Sequence, residues 1–128
     1  MKPTALIIDD QVTIRTLLEF VLADYNVVSK ENGKRALEWL YDNDLPDIII
    51  VDLQMPEIDG HELVSILKTS GFYHNIPVVM LAGTEKSEER IKCYELGIDD
   101  FIVKPFNPAE LKVRVKNVLK RVIERQNA

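Results

Sequence analysis

Three aspartates and one lysine in this 128-residue chain stand where they can handle a phosphate or a divalent cation. Asp9 and Asp10 follow the apolar run Ala5-Leu6-Ile7-Ile8, Asp52 follows Ile48-Ile49-Ile50-Val51, and Lys104 with Pro105 follows Phe101-Ile102-Val103. A further run, Val78-Val79-Met80-Leu81, ends on Ala82-Gly83-Thr84 and brings no charge. Carboxylates gathered within a few ångströms repel one another, and without a counter-charge at least one takes up a proton. A divalent cation removes that conflict: Mg2+ takes oxygen ligands, keeps several waters, and typically uses one or two carboxylates plus phosphate oxygens. With the cation in place Asp52 can act as a nucleophile toward a phosphoryl donor. Lys104, a point charge on a flexible stem, would then offset charge on the transferring group.

Those residues meet only if the fold brings their strands together. Continuous Val/Ile/Leu runs read as buried parallel strands, and an open α/β sheet places its ligand site at their carboxyl ends. Helical periodicity alternates with the strand-like runs along the whole chain. Ile14, Leu17, Leu18, Val21 and Leu22 make one apolar stripe, Ala36, Leu37 and Leu40 a second, and Leu63, Ile66 and Leu67 a third that ends near Gly71. Tyr25 to Ser29 reads as a short second strand. Ser87 is the expected cap of a fourth helix, with Glu88 and Glu89 at its positive end and Gly97 at its close. A fifth helix follows Asn107-Pro108 and carries Leu111, Val115, Val118, Leu119 and Val122 on one face. Right-handed crossovers between parallel strands turn this pattern into a doubly wound, flavodoxin-like α/β sheet of five strands in the order 2-1-3-4-5, with five helices. The first and third strands are then neighbours, and Asp9, Asp10 and Asp52 share one crevice.

Composition bounds the rest. The length suits one domain, residues 1–128, with about 120–128 expected to be a helix end or the start of a linker. The chain is 46% hydrophobic and 29% charged, within the globular range. No stretch approaches the roughly 18 apolar residues of a membrane span, and Met1-Lys2-Pro3-Thr4 runs straight into a strand rather than a signal peptide. A cytoplasmic protein is expected. The net charge of -5 gives the domain no electrostatic reason to bind nucleic acid. Cys93 is the one cysteine, which fits a reducing compartment, and is expected to be a partly buried small residue. His61 and His74 are isolated in sequence and read as surface residues.

Asp9-Asp10, the stretch Asp52-Leu53-Gln54-Met55-Pro56 with Asp59-Gly60, and Lys104-Pro105-Phe106 resemble the receiver domains of two-component response regulators. The resemblance covers essentially the whole chain in order and spacing. It implies that Asp52 accepts a phosphoryl group from a histidine kinase or phosphotransfer partner. It further implies that Asp10, Asp52 and the backbone carbonyl of Gln54 bind Mg2+, that Asp9 acts mainly through water, that Lys104 contacts the phosphoryl group, and that the Lys104-Pro105 bond is cis. Self-phosphorylation and self-dephosphorylation would be its only chemistry.

The chain departs from the family where a switch serine or threonine belongs, since that position falls on Ala82. Two readings of Thr84 stand beside each other: a substitute reached through a rearranged Gly83 backbone, or a loop threonine facing solvent. Thr84 and Gln54 also border the site in the family and are candidates for tuning hydrolysis. Phe101 occupies the position of the family's switch aromatic; with Ala82 leaving room, it is expected to sit inward without phosphate, partly as packing. Arg90, Asp99, Asp100, Glu110, Arg114 and Arg121 resemble the dimer face of OmpR/PhoB receivers, formed by the fourth helix, fifth strand and fifth helix. The matching pairs would be Arg90 with Glu110, Asp100 with Arg114, and Asp99 with Arg121; the plain alternative is a solvated face.

Two other classes compete. A haloacid-dehalogenase-like enzyme needs a second aspartate two residues after the nucleophile, and Gln54 stands there; a flavodoxin or P-loop protein needs a glycine-rich loop after the first strand, where this chain has Asp9-Asp10-Gln11-Val12. The stronger rival is a receiver-like interaction module that works without phosphate control, for which Ala82 is the best support.

Overall fold

The computed structural model describes residues 2–127. The elements run β1 (Thr4–Ile8), α1 (Val12–Val21), β2 (Asn26–Lys30), α2 (Gly33–Asp42), β3 (Ile48–Asp52), α3 (Gly60–Lys68), β4 (Val78–Ala82), α4 (Ser87–Leu96), β5 (Asp100–Val103) and α5 (Pro108–Gln126). All four strand pairings are parallel, in the order β2-β1-β3-β4-β5. The expected flavodoxin-like topology is what the chain adopts.

Side chains of a strand alternate between the two faces of the sheet. On one face Leu6, Ile8, Ile49, Val51, Val78, Met80 and Phe101 pack with Ala36 and Leu40 of α2, Leu63, Val64 and Leu67 of α3, and Cys93 of α4. On the other, Ala5, Ile7, Ile48, Ile50, Val79, Leu81 and Ile102 meet Leu18 of α1, Leu22 at its C-terminal cap, and Leu111, Val115 and Val118 of α5. Each fully buried Leu or Ile contributes about 1.5–3 kcal/mol relative to exposure. Covering both faces leaves the strand ends as the place where polar groups can gather.

Caps fix where several helices begin. Asn32 accepts from the Arg35 N–H, Asp59 from the Glu62 N–H, and Asn107 from the Ala109 and Glu110 N–H groups, each cap being worth about 1 kcal/mol. α4 closes at Gly97, whose φ of 105° is a left-handed conformation suited to glycine.

Several expectations shift. β2 begins one residue later than Tyr25. Ser87 is the first residue of α4 rather than its cap; Lys86 takes that position without a side-chain bond. α3 stops at Lys68, and its buried residues are Gly60, Leu63, Val64 and Leu67, so Ile66 falls off the packed stripe and is 42% exposed. Cys93 is fully buried. Residues 120–126 continue α5 as helix, and the last residue of the proposed tail, Ala128, lies outside the described residues.

Candidate functional site

Strand register assembles the site. Ile8 pairs with Val51 across β1 and β3, so Asp9 comes level with Asp52; Ala82 pairs with Val103 across β4 and β5, and Lys104 is the next residue. Lys104 donates its backbone N–H to Ala82 C=O at 2.7 Å, and its side chain passes the end of β4 toward β1 and β3. Its Nζ lies 3.0 Å from Asp9 Oδ2 and 3.1 Å from Asp52 Oδ1. Asp9 and Asp52 are the buried charged side chains among the described residues, while Asp10 is exposed. The remaining Asp9 oxygen, Oδ1, accepts from the Gln11 N–H at 2.9 Å, just ahead of α1.

One ammonium serves two buried carboxylates, and that imbalance sets the electrostatics. Burial, followed by the charge of Asp9, pushes Asp52 up to about 6, with Lys104 acting against the shift and Asp10 adding to it. Burial also works against the Lys104 charge, but hydrogen bonding to Asp9 and the charge of Asp52 prevail and raise its pKa. The two shifts are compatible: the lysine stays charged, and its charge is divided. Carboxylate oxygens of Asp9, Asp10 and Asp52 lie within 4.8 Å of one another. An all-oxygen donor set with surplus negative charge fits a hard divalent cation.

Around this cluster the other candidates take distinct places. The Lys104-Pro105 bond is cis. Gln54 is exposed two residues past Asp52 and borders, with Leu53, Met55, Asp59, His61, Thr84 and Glu89, a cleft of about 470 Å³. Ala82 is fully buried at the end of β4. Gly83 is not among the residues with left-handed backbone, and Thr84 Oγ1 accepts from the Lys86 N–H at 3.2 Å, which gives the threonine a turn-forming part before α4. Phe101 is 4% exposed and packs in the α2–α3–α4 core.

The charged face is largely satisfied within the chain. Arg114 donates Nε and Nη2 to the Asp100 carboxylate at 2.9 and 2.6 Å, and Nη2 also to Phe101 C=O at 2.9 Å. Glu110 approaches Arg114 at 3.7 Å. Asp99 accepts from the Val78 N–H at 2.9 Å and faces Arg125 of the same chain at 3.4 Å. Arg90 and Arg121 are exposed and make no ion pair among the described residues.

One cluster escaped the sequence reading. His61 is half-buried rather than a free surface residue, and its Nε2 lies 3.3 Å from Glu89 Oε2 and 3.3 Å from Cys93 Sγ. The four-residue spacing of Glu89 and Cys93, which puts them on one face of a helix, was the available signal. His74 is exposed, as expected, with Nδ1 at 3.0 Å from Ser70 C=O.

Residues 5–116 match the family described as the response regulator receiver domain. The chain belongs to that family. This receiver is 38% identical over 123 residues to a probable transcriptional regulator ycf27 of Porphyridium aerugineum, covering 94% of this chain and 50% of that protein. It is 40% identical over 119 residues to histidine kinase P4 of Formosa agariphila, covering 92% of this chain and 9% of that protein. The receiver thus spans about half the length, or less, of the curated relatives it matches. Among solved structures it superposes on a putative response regulator from Chloroflexus aurantiacus with a TM-score of 0.88 and 38% identity, over 94% of this chain and 99% of that one. A receiver domain of a signal transduction histidine kinase from Syntrophus aciditrophicus gives 0.84 and 33%, over 94% and 92%. No helix of the described residues is long and apolar enough to cross a membrane.

Proposed function

We propose that Asp52 is the phosphoacceptor of this two-component receiver, and that the domain passes its signal through α4, β5 and α5. The observation that carries the reading is the Lys104 ammonium held 3.1 Å from a buried Asp52 at the mouth of the sheet. An Asp52 oxygen attacks the phosphorus of a phosphohistidine on a histidine kinase or phosphotransfer protein; the phosphorus–nitrogen bond breaks, and the imidazole nitrogen leaves with the electron pair. Lys104 stands ready to balance charge on the moving group.

The oxygen donors of Asp9, Asp10 and Asp52 fit Mg2+, and the backbone carbonyl of Gln54 would be a further ligand. When bound, the metal supplies charge compensation and holds phosphate oxygens in place. Asp9, already engaged by Lys104 and the Gln11 N–H, acts mainly through water. Thr84 and Gln54, at the edges of the same cleft, tune loss of the phosphoryl group to water. Phosphoryl acceptance and release on Asp52 are the domain's own chemistry, performed in the cytoplasm.

Incubation with acetyl phosphate and Mg2+ followed by intact-mass measurement tests the reading. The wild-type chain gains one phosphoryl group, and neither Asp52→Ala nor the metal-free protein does. A second reading, an interaction module indifferent to phosphate, is favoured by Ala82 and by a Phe101 already buried; no mass gain from acetyl phosphate or from a cognate kinase would support it. A phosphorylation-favoured homodimer through α4, β5 and α5 uses Arg90 and Arg121 as free charges, with Glu110 only loosely held at 3.7 Å from Arg114, on the face that Asp99, Asp100 and Arg114 order internally. Sedimentation showing monomer at high concentration, with and without a phosphoryl mimic, would eliminate it.

A further inference from the structure

Ala82 offers no hydroxyl on the β4 side of Asp52, but the α3 side is in hard contact with it. Gly60 N–H donates to Leu53 C=O at 2.8 Å. A β-carbon at residue 60 would stand 2.6 Å from the Asp52 carbonyl oxygen and 2.8 Å from Leu53 Cα. The first turn of α3 therefore rests directly on the backbone of the acceptor, and close-packed backbone does not give way independently of its neighbour.

His61 follows Gly60 and reaches the other helix. A carboxylate 3.3 Å from Nε2 selects the tautomer with its proton on that nitrogen. The Cys93 thiol, pushed up to about 11 by burial and then by the charge of Glu89, stays protonated and turns its sulfur to the same N–H. The carboxylate contact exceeds the usual 2.7–3.2 Å of an N–H···O hydrogen bond, so a shift of a few tenths of an ångström in α3 changes it appreciably. α4 has few other anchors: Cys93 is its one buried residue, and its N-cap lacks a side-chain bond.

We infer that His61 is a positioning residue that couples α4 to the state of Asp52 through the first turn of α3, a route that bypasses Ala82. The inference rests on Asp52 being the phosphoacceptor. Charge arriving on Asp52 draws the loop between β3 and α3 toward it; Gly60 carries the displacement into the helix, and His61 tightens on Glu89 and Cys93. Two packed helices with alternative seatings convert such a small shift into a discrete change of surface.

Amide NMR of the whole chain with beryllofluoride and Mg2+ tests this. Shifts at Asp52 and Leu53 report a loaded acceptor; shifts from Glu89 to Leu96 report α4. Wild type is expected to show both. His61→Ala keeps the first set and loses at least half of the second, while His61→Gln, whose amide nitrogen can stand near the position of Nε2, restores it. Glu89→Gln, which leaves the core untouched, gives a partial loss and guards against misfolding of the alanine variant. Loading with α4 shifts in His61→Ala and Glu89→Gln equal to wild type overturns the coupling alone; no shift at Asp52 and Leu53 in wild type overturns the acceptor reading and the coupling with it.

Discussion

Lys104 holds Asp52 at 3.1 Å while giving a second contact, at 3.0 Å, to Asp9. Because the charge is shared, it does not offset the burial of Asp52, whose pKa rises to about 6 from an ordinary 3.8. This makes the free Asp52 carboxylate a liability to the fold near neutral pH and gives a divalent cation something to relieve.

The sign of the pH effect follows from that rise. Below about pH 4 Asp52 is protonated in folded and unfolded chains alike and the penalty is absent. Between about 4 and 6 the folded chain keeps a proton that the unfolded chain has released, so stability falls as pH rises. Above about 6 the cost is complete, on the order of 1–2 kcal/mol after allowance for solvent screening. In EDTA at pH 7, Asp52→Asn is expected to unfold at higher urea than wild type by that amount, and the gap should close toward pH 4. Equal urea midpoints at pH 7 would show that Lys104 compensates Asp52 fully.

Removing the lysine separates its kinetic part from its structural one. Lys104→Met leaves Asp9 and Asp52 facing each other without their ammonium, so Mg2+ becomes a larger contributor to stability. The initial rate of phosphoryl gain from acetyl phosphate is expected to fall on the order of 100-fold, the usual loss when a preorganised charge donor is deleted. Intact mass against time at saturating Mg2+ measures it; a change below threefold would mean that Lys104 serves the resting site alone.

The strand ends were readable because each chemical residue terminates an uninterrupted apolar run, and sheet order brought Asp9, Asp52 and Lys104 together as expected. Ser87 misled because capping preference names residue types, whereas the helix start is set by the turn in which Thr84 Oγ1 takes the Lys86 N–H. The Asp99–Arg125 contact within the chain went unread because the two residues lie 26 apart and only the direction of α5 past β5 brings them together. His61 was harder to read for a related reason: the spacing of Glu89 and Cys93 marks one face of α4, but nothing local says that α3 brings His61 to it.

Gly60 should be intolerant where Gly71 is not. Its missing β-carbon would meet the Asp52 carbonyl oxygen at 2.6 Å, and the obstacle is backbone. Gly60→Ala is expected to cost about 3 kcal/mol, the upper range for overpacking. Gly71, where an added β-carbon would meet nothing within 4 Å, is the control, and Gly71→Ala should stay within about 0.5 kcal/mol of wild type. Thermal unfolding of the two variants side by side checks the contrast.

Phe101 offers the last test, because two neighbours hold it in place before any phosphate arrives. Its ring is 4% exposed in the core that includes Ala82, and its carbonyl accepts from Arg114 Nη2 at 2.9 Å while the same arginine grips Asp100. A ring already inward has little distance to travel, so its resonances should move little when beryllofluoride loads wild-type protein. Arg114→Ala removes a charged donor from Asp100 and from the Phe101 carbonyl and should cost about 2 kcal/mol, with the ring becoming mobile and its response to loading growing. Ring resonances that shift strongly in wild type, or that ignore loss of Arg114, would place the control of Phe101 elsewhere than in this preset packing.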